Sequence, residues 1–205
     1  MNQISTITLA LTGASGMHYA LRLLEGLLAA DKSVYLLYSQ AAQIVAKEEM
    51  GLTFPSSSRE LQLQLRERFA HLPGQLQVFG REEWFAPIAS GTNAADAMVV
   101  CPCTMGTLAA IAAGMSDNLI ERAADVTMKE QRKLILVPRE TPFSAIHLEN
   151  MLKLARLGVV ILPANPGFYH HPATVQDVVD FVVARILDHL CVAHKLMARW
   201  GEAGN

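Results

Sequence analysis

"ISTITLALTGASGMHYALRLLEGLLAA", residues 4–30, holds the pattern that decides the fold. Ile4–Leu11 is apolar and alternates with Ser and Thr, so it reads as a first strand. Met17–Ala30 repeats its apolar residues with helical spacing. Between them stands "TGASG", residues 12–16, a turn of small residues against a helix start. A strand feeding a helix through a short turn is the opening half of a βαβ unit.

The same alternation continues outward. Further strands are expected at Ser33–Tyr38, Ala97–Cys101, Lys133–Val137 and Val159–Leu162, with a weaker one at Gln77–Phe79. Helical periodicity marks Gln40–Met50, Arg59–Phe69, Met105–Ala113, Leu119–Gln131, Ser144–Leu157 and Val175–Leu190. Nearly continuous apolar strands, each followed by a helix, indicate a parallel sheet covered on both faces. Right-handed crossovers then give a three-layer α/β/α, doubly wound fold. A chain of 205 residues fits one domain. "TFPSSS", residues 53–58, reads as a turn or mobile loop, and Gly80–Asn93 as a longer irregular segment.

Composition narrows the function. The net charge is -2 and no block of like charge occurs, which argues against a nucleic-acid partner. No apolar stretch reaches the roughly 20 residues that span a bilayer. The N-terminus lacks a basic segment and reads as strand, not signal peptide. Three cysteines at no disulfide-like spacing suit a reducing cytoplasm. "MGTLAAIAA", residues 105–113, carries no charge, so it is expected either wholly internal or, in part, packed against another subunit. The helix and tail over about 175–205 are expected to pack on neighbours as well.

In a parallel doubly wound sheet, ligands bind beyond the carboxyl ends of the strands. "TGASG", Ser39, "CPCTMGT" (101–107), Arg139–Glu140 and "PANPGFYHHP" (163–172) all fall there. Loops of Gly, Ser and Thr at helix starts present free N–H groups and hydroxyls, which suit a phosphate. Ser15 reads equally as such a donor or as a plain N-cap. The loop does not match G-x-G-x-x-G, and no P-loop Lys follows. Cys101 and Cys103 lack the further ligands of a tetrahedral metal site and read as small buried residues, so no metal is expected. His147 reads as a packed or hydrogen-bonded core histidine, and His170 and His171 as polar loop residues. Arg122 and Lys129 share one helix face with Asp125 between them. They form either a solvated ion-pair ladder or, if the helix points into the site, a second phosphate cradle. In "VPRETPF", residues 137–143, Thr141 is expected to cap the next helix with Pro142 at its first position.

Taken together, "TGASG", "PIASG", "CPCTMGTLAAIAAGMSDNLIERAADVTMKE", "LVPRETPFSAIHLENMLKL" and "PANPGFYHHP" resemble the UbiX-type flavin prenyltransferases, within the wider flavoprotein group with a Rossmann-like fold. The resemblance runs from Ile7 to about Leu190. Gln40 and "SGT" depart from what many relatives show, without removing a group of named role. The resemblance implies that reduced FMN is alkylated at N5 and C6 by dimethylallyl phosphate, without a metal. It implies a UbiD-type decarboxylase as recipient of the prenylated FMN, and a homo-oligomer, a dodecamer.

The resemblance also implies roles. Gly13, Ala14, Ser15, Ser39, Thr104, Met105, Gly106, Thr107 and Arg139 would hold FMN. Ser90, Arg122, Lys129, Tyr169 and Arg185 would surround the prenyl phosphate. Glu49 would reach that phosphate across a subunit boundary. Glu140 would relay protons during ring closure, and Trp84 would wall the prenyl group. Glu140, Ser15, Glu49, Lys129 and Arg122 form the catalytic set. Two other readings compete: an FMN-dependent oxidative decarboxylase of a cysteinyl substrate, and a non-enzymatic FMN carrier. The first uses a catalytic His shortly after the second strand's helix region and a late "PxMNxxM" loop; no such His is evident, and "PANPGFYHHP" stands where that loop would be. The second has no use for a second anion site.

Overall fold

The computed structural model describes residues 4–197. Six strands form one all-parallel sheet in the order β3-β2-β1-β4-β5-β6. They are β1 (Thr6–Leu11), β2 (Ser33–Tyr38), β3 (Gln75–Phe79), β4 (Ala97–Cys103), β5 (Lys133–Pro138) and β6 (Val160–Ile161). The helices are α1 (Met17–Ala29), α2 (Gln40–Met50), α3 (Ser58–Arg68), α4 (Met105–Ala113), α5 (Leu119–Lys129), α6 (Ala145–Arg156) and α7 (Val175–His189). Chain order reverses between β1 and β4, which is where doubly wound sheets open a crevice for a ligand.

Period-2 alternation divides the core in two. Ile7, Leu9 and Leu11 of β1, Val99 and Cys101 of β4, and Ile135 and Val137 of β5 pack with α1, α2, α3 and α7. Their sequence neighbours Ala10, Met98, Val100, Leu134 and Leu136 pack with α4, α5 and α6 on the opposite face. Both faces of each central strand are therefore dry, which explains their unbroken apolar runs. α7 closes the first layer on α1: Arg22 forks onto Asp180 at 2.7 and 3.0 Å, and Gly26 leaves room for Leu187. α4 buries Met105, Leu108, Ile111 and Ala112 and leaves Gly106 and Ala113 outside, so its uncharged outer face is partly bare.

Three local expectations change. "TFPSSS" is anchored, not loose: Phe54 is buried, Gln43 donates to its carbonyl, and the Tyr38 hydroxyl reaches the carbonyls of Pro55 and Ser56. The helix after β5 starts at Ala145, not beside Pro142, because Ser144 is its cap. His147 is the third residue of that helix and closes a capping box, its Nδ1 accepting from the Ser144 N–H at 3.2 Å, so it is hydrogen-bonded but not in the core. Of the expected C-terminal helix and tail, residues 198–205, with Trp200, lie outside the described residues.

Leu9 is fully enclosed in the central strand, among side chains of both β-strands and helices. Leu9→Ala should lower unfolding stability by about 2–5 kcal/mol in a denaturant titration, with the slope unchanged.

Candidate functional site

Parallel strands with helical returns bring every strand-to-helix loop to one edge of the sheet. The β1 and β4 loops meet there through Thr12. Its hydroxyl donates to the Pro102 carbonyl at 2.7 Å and accepts from the Thr104 N–H at 2.8 Å. Thr12 thus clips the two walls of the crevice together, a role that only the pairing of β1 with β4 reveals.

Hydroxyls and small residues line this crevice. Ser39 caps α2, accepting from the Ala42 N–H at 3.1 Å. Thr104 caps α4, accepting from the Thr107 N–H at 3.1 Å, while the two threonine hydroxyls bond each other at 2.9 Å. Ala14 is buried and Ser15 exposed. A Cβ on Gly106 would meet nothing within 4 Å, so the first turn of α4, beside Met105, is open, and helix starts of this kind suit an anion. Gly13 has a different reason for being glycine: a Cβ there would collide with Ala41 of α2. A cavity of about 340 Å³ between Leu28, Phe69 and Leu76 lies at the opposite edge, and none of the candidate residues lines it.

The start of α1 holds an acid from its own chain. Glu49, at the end of α2, accepts from the Gly16 N–H at 3.0 Å and from the Met17 N–H at 2.8 Å. The nearby Ser15 hydroxyl also favours its charged form. The cap residue itself is Gly16, at φ 125°, a conformation that side chains rarely adopt, so Ser15 is not the N-cap. Partial burial raises the Glu49 pKa, but the Ser15 hydroxyl and the Gly16 and Met17 N–H groups outweigh it and hold the carboxyl below its ordinary value. Glu49 therefore already occupies the anion-binding end of α1, within one chain, where it was expected to cross a subunit boundary.

At the end of β5, Arg139 is exposed and Glu140 half-buried. Among the described residues no ion pair joins them; Glu140 Oε1 accepts from the Thr141 N–H at 3.1 Å. The β6–α7 loop lies alongside, its Ala164 N–H bonded to the Pro138 carbonyl at 3.1 Å. That loop carries Tyr169, half-exposed. Trp84 is 44% exposed in the turn after β3, which Glu83 pins by accepting from Ser58 and Gly80 at 2.6 Å each.

The remaining candidates stand elsewhere. Arg122 Nε donates to the Ala89 carbonyl at 3.0 Å and Nη1 pairs with Asp125 at 2.8 Å. Lys129 pairs with Glu130 at 2.5 Å, and both head groups crowd Gly91. Ser90 sits between these two contacts, bonded to the Thr92 hydroxyl at 3.1 Å. The shared-face expectation thus gives a cationic flank built of α5 and segment 87–93. However, α5 runs away from the crevice. Its first N–H bonds Arg81 just past β3, whereas just beyond its end Arg132 meets Asp96 before β4. Arg185 is also remote. It pairs with Asp188 at 2.9 Å in the last turns of α7, beside His189, whose carbonyl receives Lys133 at the very start of β5. A strand of that length spans about 20 Å. One chain consequently brings Gly13, Ala14, Ser15, Ser39, Thr104–Thr107, Arg139, Glu140 and Tyr169 to one edge, and places Lys129 and Arg185 toward the other.

Cys101 and Cys103 are buried, and loss of water pushes the Cys103 thiol up to about 12, so both stay neutral. Among the described residues no group of three or more His, Cys, Asp or Glu could hold a metal ion. No helix of the described residues is long and apolar enough to cross a membrane.

A 3-2-1-4-5-6 parallel sheet with a small-residue, hydroxyl-lined crevice at its switch point defines a nucleotide-binding α/β protein. The chain belongs to the Flavoprotein family, whose model matches residues 1–187. It is 56% identical to the flavin prenyltransferase UbiX of Pseudomonas aeruginosa, over 96% of this chain and 94% of that protein. Among solved structures it resembles a dodecameric FMN-dependent UbiX-like decarboxylase from Escherichia coli O157:H7, at 41% identity and a TM-score of 0.82, covering 95% of this chain and 98% of that one. It also resembles AnUbiX in complex with FMN and dimethylallyl pyrophosphate, at 38% identity and a TM-score of 0.85, covering 97% and 98%.

The depressed Glu49 pKa sets a pH dependence. A lowered folded-state pKa contributes stability that is present above the ordinary carboxylate value and is lost as pH falls through the folded one. Glu49→Gln should therefore melt below wild type at pH 7, and the gap should shrink as the pH is taken below about 4.5. A gap that stays constant with pH would show that the charge on Glu49 does not hold α1.

Proposed function

We propose that the protein is a flavin prenyltransferase that moves a dimethylallyl group from dimethylallyl phosphate to N5 and C6 of reduced FMN. The observation that carries this is near-full-length identity of 56% with a flavin prenyltransferase. Reduced FMN, when bound, supplies the nucleophilic positions.

The chain's own residues do the rest. Gly13, Ala14, Ser15, Met105 and Gly106 leave space beside the crevice, and Ser39, Thr104 and Thr107 offer hydroxyls. Arg139 contacts the flavin. Ser90, Arg122 and Lys129 hold the prenyl phosphate with donors fixed before reaction, so that charge developing on the departing phosphate is met without rearrangement. Glu140 is near enough to solvent to collect and release a proton during ring closure. Trp84 offers its π face to the prenyl group. Glu49 acts through Ser15 and the first turn of α1.

Lys129 and Arg185 lie toward the edge away from the crevice, so in this reading the working site is composite, with those two supplied by neighbouring copies in a homo-oligomer, a dodecamer. Exposed Phe85, Phe168 and Val175 support such contacts, as does the dodecameric relative. The product passes in the cytoplasm to a UbiD-type decarboxylase.

Anaerobic incubation with reduced FMN and dimethylallyl phosphate should raise the flavin mass by one prenyl unit. Recovery of unmodified flavin under these conditions would leave the FMN-carrier reading in its place. Glu140→Gln should still bind FMN but form the adduct at least ~10-fold more slowly; wild-type turnover would remove Glu140 from the mechanism.

A further inference from the structure

The β6–α7 loop is held firmly at its ends and by rings in its middle. Its start bonds to β5 through Leu162 and Ala164. Its end is closed by the Thr174–Asp177 capping box, with the Ala173 and Thr174 N–H groups on Asp177 at 2.9 Å. Between these anchors, three aromatic rings meet. Tyr169 stands edge-on to Phe181, centroids 5.6 Å apart at 78°, and edge-on to His170 at 5.9 Å and 80°. His170 stacks on Phe181 at 5.3 Å and 18°. Gly167 completes the seat, because a Cβ there would lie 2.9 Å from both the Tyr169 and the Phe181 rings.

Two further facts give this cluster a purpose. Phe181 follows Asp180, which receives the Arg22 fork, so the seat is registered to α1 and hence to the Ser15 turn. His170 was expected to be a polar loop residue, yet neither ring nitrogen is exposed or hydrogen-bonded among the described residues. Its imidazole serves here as a flat ring. A buried polar atom without a partner is costly, so the loop is built around the stack despite that cost.

We infer that Phe181, His170 and Gly167 are positioning residues that fix Tyr169 for its contact with the prenyl phosphate. This rests on the proposed prenyl transfer and on Tyr169 joining Ser90, Arg122 and Lys129 around that phosphate, the role the family resemblance implies. Tyr169 remains half-exposed beside these rings. A seated phenol has less freedom to lose when the phosphate arrives, so the seat acts on substrate affinity and not on the chemical step.

The test is steady-state kinetics with dimethylallyl phosphate, alongside FMN affinity by fluorescence. Phe181→Leu keeps the apolar bulk and removes the ring. Phe181→Leu and His170→Ala should each raise KM by ~3–10-fold, with kcat and FMN affinity unchanged. His170→Phe, which keeps the stack, should restore the wild-type KM. Tyr169→Ala should raise KM at least as much, and adding Phe181→Leu to it should raise KM no further. Additive effects, or a His170→Phe variant as weak as His170→Ala, would overturn the seat. So would an unchanged KM in Phe181→Leu while Tyr169→Ala is impaired. An unimpaired Tyr169→Ala overturns the phosphate contact itself and the seat's purpose with it, while absence of any prenylation in wild type strikes the proposed reaction instead.

Discussion

Parallel strands can pair only if the chain returns along the outside of the sheet after each one. Every other feature of this protein follows from that constraint. Four of the five returns between strands carry α-helices, the β3–β4 return has only two short 3-10 turns, and both sheet faces are sealed. The edge therefore collects five loops that are far apart in sequence. Thr12 shows the constraint at atomic scale: one hydroxyl spans β1 and β4 and makes two loops into one crevice.

The electrostatics of that edge is mostly self-satisfied. Ser39, Thr104, Ser144 and Thr174 each use a side-chain oxygen to cap their own helix, and Glu49 caps α1 from the end of α2. Helix starts alone therefore leave limited capacity for a doubly charged phosphate. In the proposed reaction that charge comes from side chains, with Arg122 and Lys129 as the cations offered for it. Because Lys129 and Arg185 stand toward the other edge, the proposal calls for a composite site, which would give an oligomer a chemical reason.

Much of the fold was legible in the pattern. Strand β2 and helices α2 and α4 begin and end where periodicity predicts, because their apolar positions and caps agree. Others shifted by a few residues: β3 begins at Gln75, where its polar alternation hid an edge strand, and β4 runs on through Pro102 to Cys103. Thr141 and Pro142 offered a plausible helix start, but Ser144 and His147 offered a better one through a reciprocal capping box. "TFPSSS" reads as a turn or mobile loop, whereas burial of Phe54 anchors the segment.

The order of elements, the edge where ligands gather and the chemical types at that edge were determined by the sequence itself. They depend on local periodicity and on a handedness rule that every such chain obeys. Which side chains share a site was decided only by tertiary structure. Arg122 and Lys129 are seven residues apart on one helix face, yet Arg122 stands near the start of α5 on the Ala89 carbonyl while Lys129 stands at its far end against Glu130. Glu49 and Ser15 are 34 positions apart and touch because α2 ends where α1 begins. Directions in space come from packing many side chains at once, and no spacing along the chain encodes them.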